Sequence, residues 1–272
     1  MLSEDRQYYV TGSQAHRVMA EHEKELSAGD FTLSDFPERE QLISFVGDFY
    51  KSKGSCPLVR DAKAAEIVVS GAQIKEVYAY LESLKPVFTK GMESYAREIV
   101  KHQLVSEREE NYSGRDTERG NEQEHLAVAA LESKLGYEFD FTGDEQEFFH
   151  LDYLGLTPDG AHYDDTFMVD QGLEVKCPKQ DIHMKNLCTL KNQDDLLAEY
   201  PEYYWQCMTG LAVTTASVWH FGTFNKDYKT ERGDFRLVHI PIYPVKSHID
   251  LLLKRSEAVV KRSKQILEEI TQ

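Results

Sequence analysis

Two carboxylates and one lysine in the middle of the chain have the types and spacing of a hydrolytic metal site. Asp159 lies in a Thr-Pro-Asp-Gly turn, and Glu174 and Lys176 follow after fourteen intervening residues, in the segment GLEVKCP at 172–178. Residues i and i+2 of a β-strand share one face, so Glu174 and Lys176 would be neighbours. Mg²⁺ prefers carboxylates, waters and phosphate oxygens as ligands. The pattern therefore predicts a cation that stabilises charge on phosphorus oxygens and a lysine that orients or deprotonates water.

The same residues also have an ordinary structural explanation. Residues 140–165 contain eight acidic side chains and no Lys or Arg, which is typical of a solvated acidic hairpin. Pro-Asp-Gly is a common turn, and acids and lysines alternate on many solvent-facing strands. Carboxylates at this density repel one another unless solvent or a cation lies between them. These residues alone leave both explanations open.

The segment from Asp159 to Lys176 resembles the PD-(D/E)xK signature of nucleases. Residues 172–178 are similar to the form found in the family of phage lambda exonuclease and YqaJ-type viral recombinases. Three other segments resemble motifs of that family in the same order. They are Arg6-x4-Thr11-Gly12-Ser13-x2-His16, Gly120-x3-Glu124-x2-Ala127 and Tyr203-x2-Gln206. Four ordered motifs make the resemblance more specific than the Glu-x-Lys pair alone.

The resemblance implies a metal site built around three carboxylates. Asp159 and Glu174 would ligate catalytic Mg²⁺, for which Mn²⁺ can substitute, in a site of two ions. The Val175 carbonyl would supply a further oxygen, and Glu124 would face the ions from its helix through water. All four residues are thereby expected to be metal-binding.

The resemblance also implies roles for residues that handle water and the DNA end. Lys176 would act on the attacking water, and Gln206 would position the nucleophile or the lysine. Arg6, Ser13 and Thr157 match a pocket that holds the 5′-phosphate of the digested end. A guanidinium fork with hydroxyl donors suits a terminal phosphate. The family usually has Ser at the position of Thr157, and the hydroxyl is retained.

The activity implied by the resemblance is that of a Mg²⁺-dependent DNA exonuclease. It would hydrolyse double-stranded DNA from its ends, 5′ to 3′, leaving 3′ single strands for recombination with a single-strand annealing protein. The family's known assembly is a ring of three subunits, so we expect a homo-oligomer. Lysines that follow the active strand are candidate contacts to the DNA backbone: Lys179, Lys185 and Lys191.

Two other interpretations remain open. A PD-(D/E)xK endonuclease, or a Cas4-like nuclease with an iron–sulfur cluster, would carry the same signature. A nuclease fold that only binds DNA or a protein partner is the non-enzymatic alternative. The intact Asp159, Glu174 and Lys176 argue against that last interpretation.

Composition excludes several broad classes of protein. The 272 residues include 47 acidic and 31 Lys and Arg side chains, a net charge of −16, which excludes a uniformly basic surface but not local basic faces. A hydrophobic content of 41% excludes wholesale disorder. No apolar run approaches the ~18 residues of a membrane span, and the start MLSEDRQYYV is unlike a secretory signal. Four dispersed cysteines without a CxxC pair fit a reducing cytoplasm, bacterial or phage-infected.

The elements that would position the candidate site predict an α/β fold. Its core would be of the PD-(D/E)xK, restriction-endonuclease-like type, a mixed central sheet flanked by helices, with an N-terminal helical insertion. Periodicity predicts helices at 14–26, 34–51, within 61–84, 86–105, 116–135, 193–200, 201–213 and 247–270, and short strands at 137–141, 147–151, 166–169, 173–177, 216–224 and 235–242. Ser13 would cap the first helix. We expect one nuclease domain over 1–272, comprising the insertion at 27–115, a catalytic core at 116–245 and a C-terminal helix at 246–272.

Overall fold

The computed structural model describes residues 8–20, 88–105 and 115–272. Apart from positions 88 and 89, they belong to one compact unit. Most of the predicted insertion at 27–115 lies outside the described residues, together with the helices predicted at 34–51 and within 61–84. The division of the chain into domains therefore stays a prediction.

Strands and helices alternate over most of the described chain. The strands are β1 Val10–Thr11, β2 Phe149–Leu151, β3 Leu154–Leu156, β4 Gly160–Tyr163, β5 Val169–Lys176, β6 Val218–Phe224, β7 Lys229–Thr230, β8 Gly233–Asp234 and β9 Leu237–Ile242. The α-helices are α1 Ala15–Met19, α2 Lys90–Leu104, α3 Arg115–Leu135, α4 Gln180–Thr189, α5 Gln193–Glu199, α6 Pro201–Thr214 and α7 Lys246–Thr271. Short 3₁₀ turns occupy Gly12–Gln14 and Gly143–Glu145.

The central sheet is mixed, with the strand order β4-β5-β6-β9. The pair β5 and β6 is parallel, whereas β4 pairs with β5 and β9 pairs with β6 in antiparallel fashion. A parallel pair needs a crossover connection, and here α4, α5 and α6 form it. The C-terminal end of β5 is consequently followed directly by the crossover helices.

One face of this sheet packs against α3. Leu173 and Val175 of β5 form a buried cluster with Leu131 of α3 and Phe224 of β6. Leu131 is fully buried, and truncating such a leucine to alanine typically costs about 2–5 kcal/mol. Apolar packing therefore fixes α3, which carries Glu124, against the strand that carries Glu174.

The opposite face packs against α6. The indole of Trp219 occupies the space beside two glycines, Gly172 of β5 and Gly210 of α6, and a Cβ on either one would collide with the ring. Glu174 is in register with Phe221, whose ring stacks with Tyr203 of α6. Glu174 and Lys176 thus share this face of the sheet with the rings of Trp219 and Phe221.

A second, smaller sheet has the order β1-β3-β2. Its parallel pair places Val10 opposite Leu154 and Thr11 opposite Gly155. A Cβ at Gly155 would collide with the Phe148 ring, so a larger residue here would displace that ring. The sheet brings the segment around Ser13 to the chain that leads into Asp159.

The long helix α7 packs against α2. Its buried face includes Leu252, Val259 and Ile266, and its Arg262 bonds to Glu93 of α2 at 3.0 Å. The helices predicted at 86–105 and 247–270 are confirmed within a few residues at their ends. Within the described ranges, no helix combines the length and apolar character that a membrane crossing requires.

Some predicted elements are wrong. Segment 137–141 contains only an isolated bridge from Asp140 to Ala161. Segment 166–169 is mostly a turn, because the Asp164 side chain accepts hydrogen bonds from the backbone of Thr166 and Met168. Ser13 caps no helix, since it lies inside the 3₁₀ turn.

Helix α4 was not predicted from the sequence. Its buried residues are His183 and Asn186, whereas Ile182 and Met184 are exposed. This distribution inverts the usual apolar face of a surface helix.

Candidate active site

Strand β5 presents Glu174 and Lys176 side by side. Glu174 is completely buried, and the Lys176 ammonium donates a short hydrogen bond to its Oε1 atom. The second oxygen, Oε2, is buried without a hydrogen-bond partner. An unsatisfied buried carboxylate oxygen is costly, so this atom is available to a ligand that enters the site.

Asp159 reaches the same strand through backbone pairing. Its N–H donates to the Leu173 carbonyl at 3.1 Å, and its Oδ2 atom accepts a 2.7 Å hydrogen bond from the Val175 N–H. Val175 lies between Glu174 and Lys176, so this bond holds Asp159 beside both. The turn at 157–160 and the strand at 169–176 thereby form one site.

Glu124 and Gln146 complete the acidic side of this site. The Gln146 Nε2 atom donates to Glu124 Oε1 at 3.2 Å and to Asp159 Oδ1 at 3.4 Å. Glu124 comes from α3, whereas Gln146 directly follows the 3₁₀ turn Gly143–Glu145. Sequence reasoning did not find Gln146, because no motif contains it.

The carboxyl groups of this site are electrostatically coupled. Burial, followed by the charge of Asp159, raises the pKa of Glu174 to about 8. Burial also raises the pKa of Asp159, and burial together with Asp159 raises that of Glu124. Burial by itself lowers the pKa of Lys176, but Glu174 and Asp159 outweigh it and raise the pKa above its usual range. The site therefore concentrates negative charge that one lysine only partly compensates.

A cleft of about 420 Å³ opens beside these groups. Its lining includes Glu124, Val175 and Lys176, and on the other side Arg119, Lys179 and Ile182 of the α3 and α4 region. Arg119 Nε donates to the Cys177 carbonyl at 3.0 Å. The cleft thus joins the acidic groups to two basic side chains, of which sequence reasoning named only Lys179.

An aromatic stack lies beside Lys176, with Tyr203 of α6 at its centre. Tyr203 stacks with Tyr200 and with Phe221, each at a centroid distance of 5.6 Å. The Lys176 ammonium lies 5.5 Å from the Tyr203 ring centroid, within the range of a cation–π contact. The tyrosine of the Tyr203-x2-Gln206 motif therefore contacts the site directly.

The surroundings of Gln206 include the N-terminal segment of the chain. A Cβ on Gly12 would come within 3.4 Å of Gln206 Cγ, so this side chain packs beside the N-terminal 3₁₀ turn. No hydrogen bond joins Gln206 to Lys176. The structure brings Gln206 close to the segment of Ser13, and its predicted role toward the nucleophile or the lysine stays a prediction.

The residues of the expected 5′-phosphate pocket are partly described. Ser13 and Thr157 each lie two residues beyond the last paired positions of β1 and β3, Thr11 and Gly155. Ser13 is exposed and Thr157 is half-buried. The parallel pair thus carries both hydroxyl residues in the same direction, whereas Arg6 lies outside the described residues.

The three candidate DNA-backbone lysines differ in their surroundings. Lys179 lines the cleft. Lys185 pairs with Glu199 at 2.5 Å and lies over the Tyr200 ring. The Lys191 ammonium donates to the Leu187 carbonyl. Only Lys179 of these three borders the candidate site.

The donor set fits a divalent cation that takes further ligands from water or substrate. Among the described residues, no group of three or more His, Cys, Asp or Glu side chains is arranged to hold a metal ion unaided. Asp159, the unpaired oxygen of Glu174 and the Val175 carbonyl are hard oxygen donors that would leave positions for water and phosphate oxygens. Mg²⁺ binds in this way, through one or two carboxylates plus substrate. The residues therefore fit Mg²⁺ and do not form a closed cage.

Comparisons with known proteins identify a family and a shared fold. The family model described as the YqaJ-like viral recombinase domain matches residues 62–217. The alkaline exonuclease LHK-Exo of Laribacter hongkongensis superposes with a TM-score of 0.55 at 22% identity, covering 68% of this chain and 87% of its own. The same enzyme in complex with dAMP gives 0.57 at 16% identity, covering 97% and 92%.

A third solved structure has the same fold. A phage-related exonuclease of Haemophilus somnus 129PT gives a TM-score of 0.52 at 16% identity and covers 67% of this chain and 85% of its own. No curated protein matches the sequence. The structural matches confirm the predicted fold, a mixed sheet flanked by helices of the PD-(D/E)xK type.

Proposed function

The chain belongs to the family of YqaJ-like viral recombinase domains, and from this premise we propose that it is a Mg²⁺-dependent exonuclease of double-stranded DNA. It would remove nucleotides 5′ to 3′ and leave 3′ single strands for recombination by strand annealing. One observation supports this most directly: Asp159 and Lys176 meet around Glu174 through the Val175 amide and the short lysine–glutamate bond.

Each side chain of this site has a distinct task in the proposed reaction. Asp159, Glu174 and the Val175 carbonyl would hold the metal, and Glu124 would face it through water. When bound, Mg²⁺ supplies charge stabilisation at the phosphorus oxygens and a more acidic water. The raised pKa of Lys176 keeps its ammonium protonated, so in this state it orients water rather than taking its proton.

The cleft would receive the DNA strand. Arg119 and Lys179 line it and supply positive charge for phosphates next to the cleaved bond. Such contacts fix the position of the backbone without reading sequence, which suits an enzyme that digests any end. Ser13 and Thr157, with Arg6, would hold the terminal 5′-phosphate. Gln206 packs beside Gly12, which supports a role near that pocket.

The assembly and partners of the protein are part of the same proposal. We propose a homo-oligomer, with a ring of three subunits as the form implied by the family resemblance, and an annealing protein that receives the 3′ strand. The dispersed cysteines favour action in a reducing cytoplasm. Lys185 and Lys191 would contact DNA only outside the cleft.

The decisive experiment compares linear and circular duplex DNA with and without Mg²⁺. We expect digestion of linear DNA only, abolished by EDTA and by Lys176→Ala. The matched control is Lys246→Ala, which removes the same charge from an exposed side chain on α7 and should retain full activity. Cleavage of closed circles would favour an endonuclease, a brown protein would favour a Cas4-like enzyme, and DNA binding without any cleavage would favour an inactive binding module.

A further inference from the structure

We propose that Gln146 is a positioning residue that holds Glu124 and Asp159 ready for the metal, an inference that rests on the proposed function. Its amide nitrogen donates to Glu124 Oε1 at 3.2 Å and to Asp159 Oδ1 at 3.4 Å. One neutral group therefore joins two carboxylates that come from different elements of the fold.

The backbone turns that precede Gln146 place its side chain beside Glu124 and Asp159. Asp140 pairs with Ala161 of β4, and the chain then turns back through Phe141 and Gly143, which have φ angles of 56° and 58°. After the 3₁₀ turn, the backbone of Gln146 is extended. Its side chain is half-buried, whereas its neighbours in sequence are exposed: Asp144, Glu145 and Glu147. The turn thus directs the side chain of Gln146 toward the site and leaves the neighbouring acidic side chains in solvent.

Glu124 depends on this contact more than Asp159 does. Among the described residues, the only hydrogen bond to the Glu124 side chain comes from Gln146. Asp159 is also held by the Val175 amide. Loss of Gln146 would therefore release Glu124 to other rotamers while Asp159 kept its place.

An amide suits this position better than a charged group. Glu124 and Asp159 lie close enough for one amide nitrogen to contact both, and like charges at such a separation repel each other. An ammonium would relieve that repulsion but would compete with a divalent cation for the same oxygens. The amide donors hold the oxygens without supplying a competing charge. Partners that orient metal ligands are typically worth about 10–100-fold in metal affinity or activity.

The test measures Mn²⁺ binding to the full-length protein without DNA, by calorimetry and by the loss of the free-ion paramagnetic resonance signal. Gln146→Met keeps the size of the side chain and removes its donors. We expect about 10–100-fold weaker Mn²⁺ binding and a similar rise in the Mn²⁺ concentration for half-maximal digestion, with the rate at saturating Mn²⁺ much less affected. The melting temperature in EDTA should stay near that of the wild type.

A matched control is Gln180→Met. Gln180 donates to Asp227 at 2.9 Å on the surface, so the same chemical change there should leave Mn²⁺ affinity unchanged. Equal weakening in both variants would overturn the proposal, as would wild-type affinity in Gln146→Met. If Gln146→Met does not fold, Gln146→Asn replaces it, because an amide shortened by one carbon cannot span both carboxylates and should weaken binding likewise.

Failure of this inference is distinguishable from failure of the proposed function. Wild-type protein that binds Mn²⁺ and loses binding in Asp159→Asn, while Gln146→Met and Gln146→Asn match the wild type, overturns only the role of Gln146. Wild-type protein that neither binds Mn²⁺ nor digests DNA overturns the proposed function itself.

Discussion

The Val175 amide donates a 2.7 Å hydrogen bond to Asp159 Oδ2, which attaches the turn carboxylate to the strand that carries Glu174 and Lys176. The pairing of β4 with β5, with Gly160 opposite Leu173, sets this distance. The site therefore depends on backbone register as well as on its side chains. Among the described residues, the other oxygen of the Asp159 carboxylate, Oδ1, accepts a hydrogen bond only from Gln146, at the longer distance of 3.4 Å.

We expect Asp159→Asn to abolish nuclease activity without unfolding the protein. The amide oxygen can still accept the Val175 hydrogen bond, but the negative charge that would hold a cation is lost. Since the metal supplies several kcal/mol of transition-state stabilisation, the rate should fall about 10³-fold or more. Digestion rates and melting temperatures measure the two effects separately.

The control for that variant is Asp165→Asn, which changes an exposed aspartate on the β4–β5 turn. It should digest DNA at the wild-type rate. An Asp159→Asn protein that keeps more than a tenth of the wild-type activity would contradict the assigned role of Asp159.

The relation between Glu174 and Lys176 was predictable from the sequence because it is local. Side chains two residues apart share a strand face, and the apolar neighbours at 173 and 175 occupy the opposite face, which packs against α3. The structure gives Leu173 as fully buried and Val175 as 5% exposed. The turn at Asp159 could be placed near them only with the help of the family resemblance.

Gln146 and Arg119 were not predictable in the same way. Gln146 reaches the site because Phe141 adopts a positive φ, which is uncommon for a residue with a side chain. Arg119 lines the cleft through its bond to the Cys177 carbonyl, 58 residues away in sequence. Both depend on tertiary contacts that a single sequence does not encode in any periodic pattern.

In EDTA, we expect the free energy of unfolding of the wild type, measured relative to that of Glu174→Gln, to fall as the pH rises from about 5 to 8. The comparison with the variant cancels the opposite contribution of His220 and His239, whose pKa values burial lowers to about 4. Burial raises the pKa of Glu174 to about 8 from its usual 4.5, so the folded protein holds a proton that the unfolded chain has released. The stability gained from that proton is complete below pH 4.5 and is lost through pH 8. One proton corresponds to a slope of at most about 1.4 kcal/mol per pH unit.

Urea denaturation at several pH values measures this slope. Glu174→Gln removes the titrating group and supplies the reference curve, whereas Glu145→Gln, on an exposed neighbouring turn, should show the same pH dependence as the wild type. Lys176 does not disturb the measurement, because its pKa is raised and its proton stays bound over this range. A difference between the wild type and Glu174→Gln that increases from pH 5 to 8 would refute the electrostatic description of the site.

Substitution of alanine for two helical glycines should change the free energy of unfolding in opposite directions. A Cβ at Gly210 would lie 2.5 Å from the Trp219 ring, whereas a Cβ at Gly120 meets no heavy atom within 4 Å. Gly210→Ala should destabilise the protein by about 1–3 kcal/mol through overpacking. Gly120→Ala should stabilise it by about 0.5–1 kcal/mol, because alanine loses less backbone entropy in a helix. Urea unfolding midpoints measure both, and a stabilised Gly210→Ala would contradict the packing of α6 on the sheet.

The proposed polarity rests on recognition of the 5′-phosphate by Arg6, Ser13 and Thr157. Linear duplexes with a 5′-phosphate should be digested faster than those with a 5′-hydroxyl, because hydrogen bonds to a charged group contribute about 1.5–3 kcal/mol. Such energies correspond to a preference of about 10-fold or more. Arg6→Ala should remove most of the preference and Ser13→Ala part of it, while digestion of the 5′-hydroxyl duplex stays close to the wild-type rate.

Arg232→Ala provides the matched control for the arginine, since Arg232 is exposed on the β7–β8 turn and should leave the preference intact. Labelling each end of the duplex separately shows which strand is shortened. If Arg6→Ala loses the preference for a 5′-phosphate and the wild type shortens strands 5′ to 3′, the assignment of the 5′-phosphate pocket is supported. A preference that survives both Arg6→Ala and Ser13→Ala would mean that the end is recognised elsewhere, because neither the guanidinium nor the hydroxyl would then contact the phosphate.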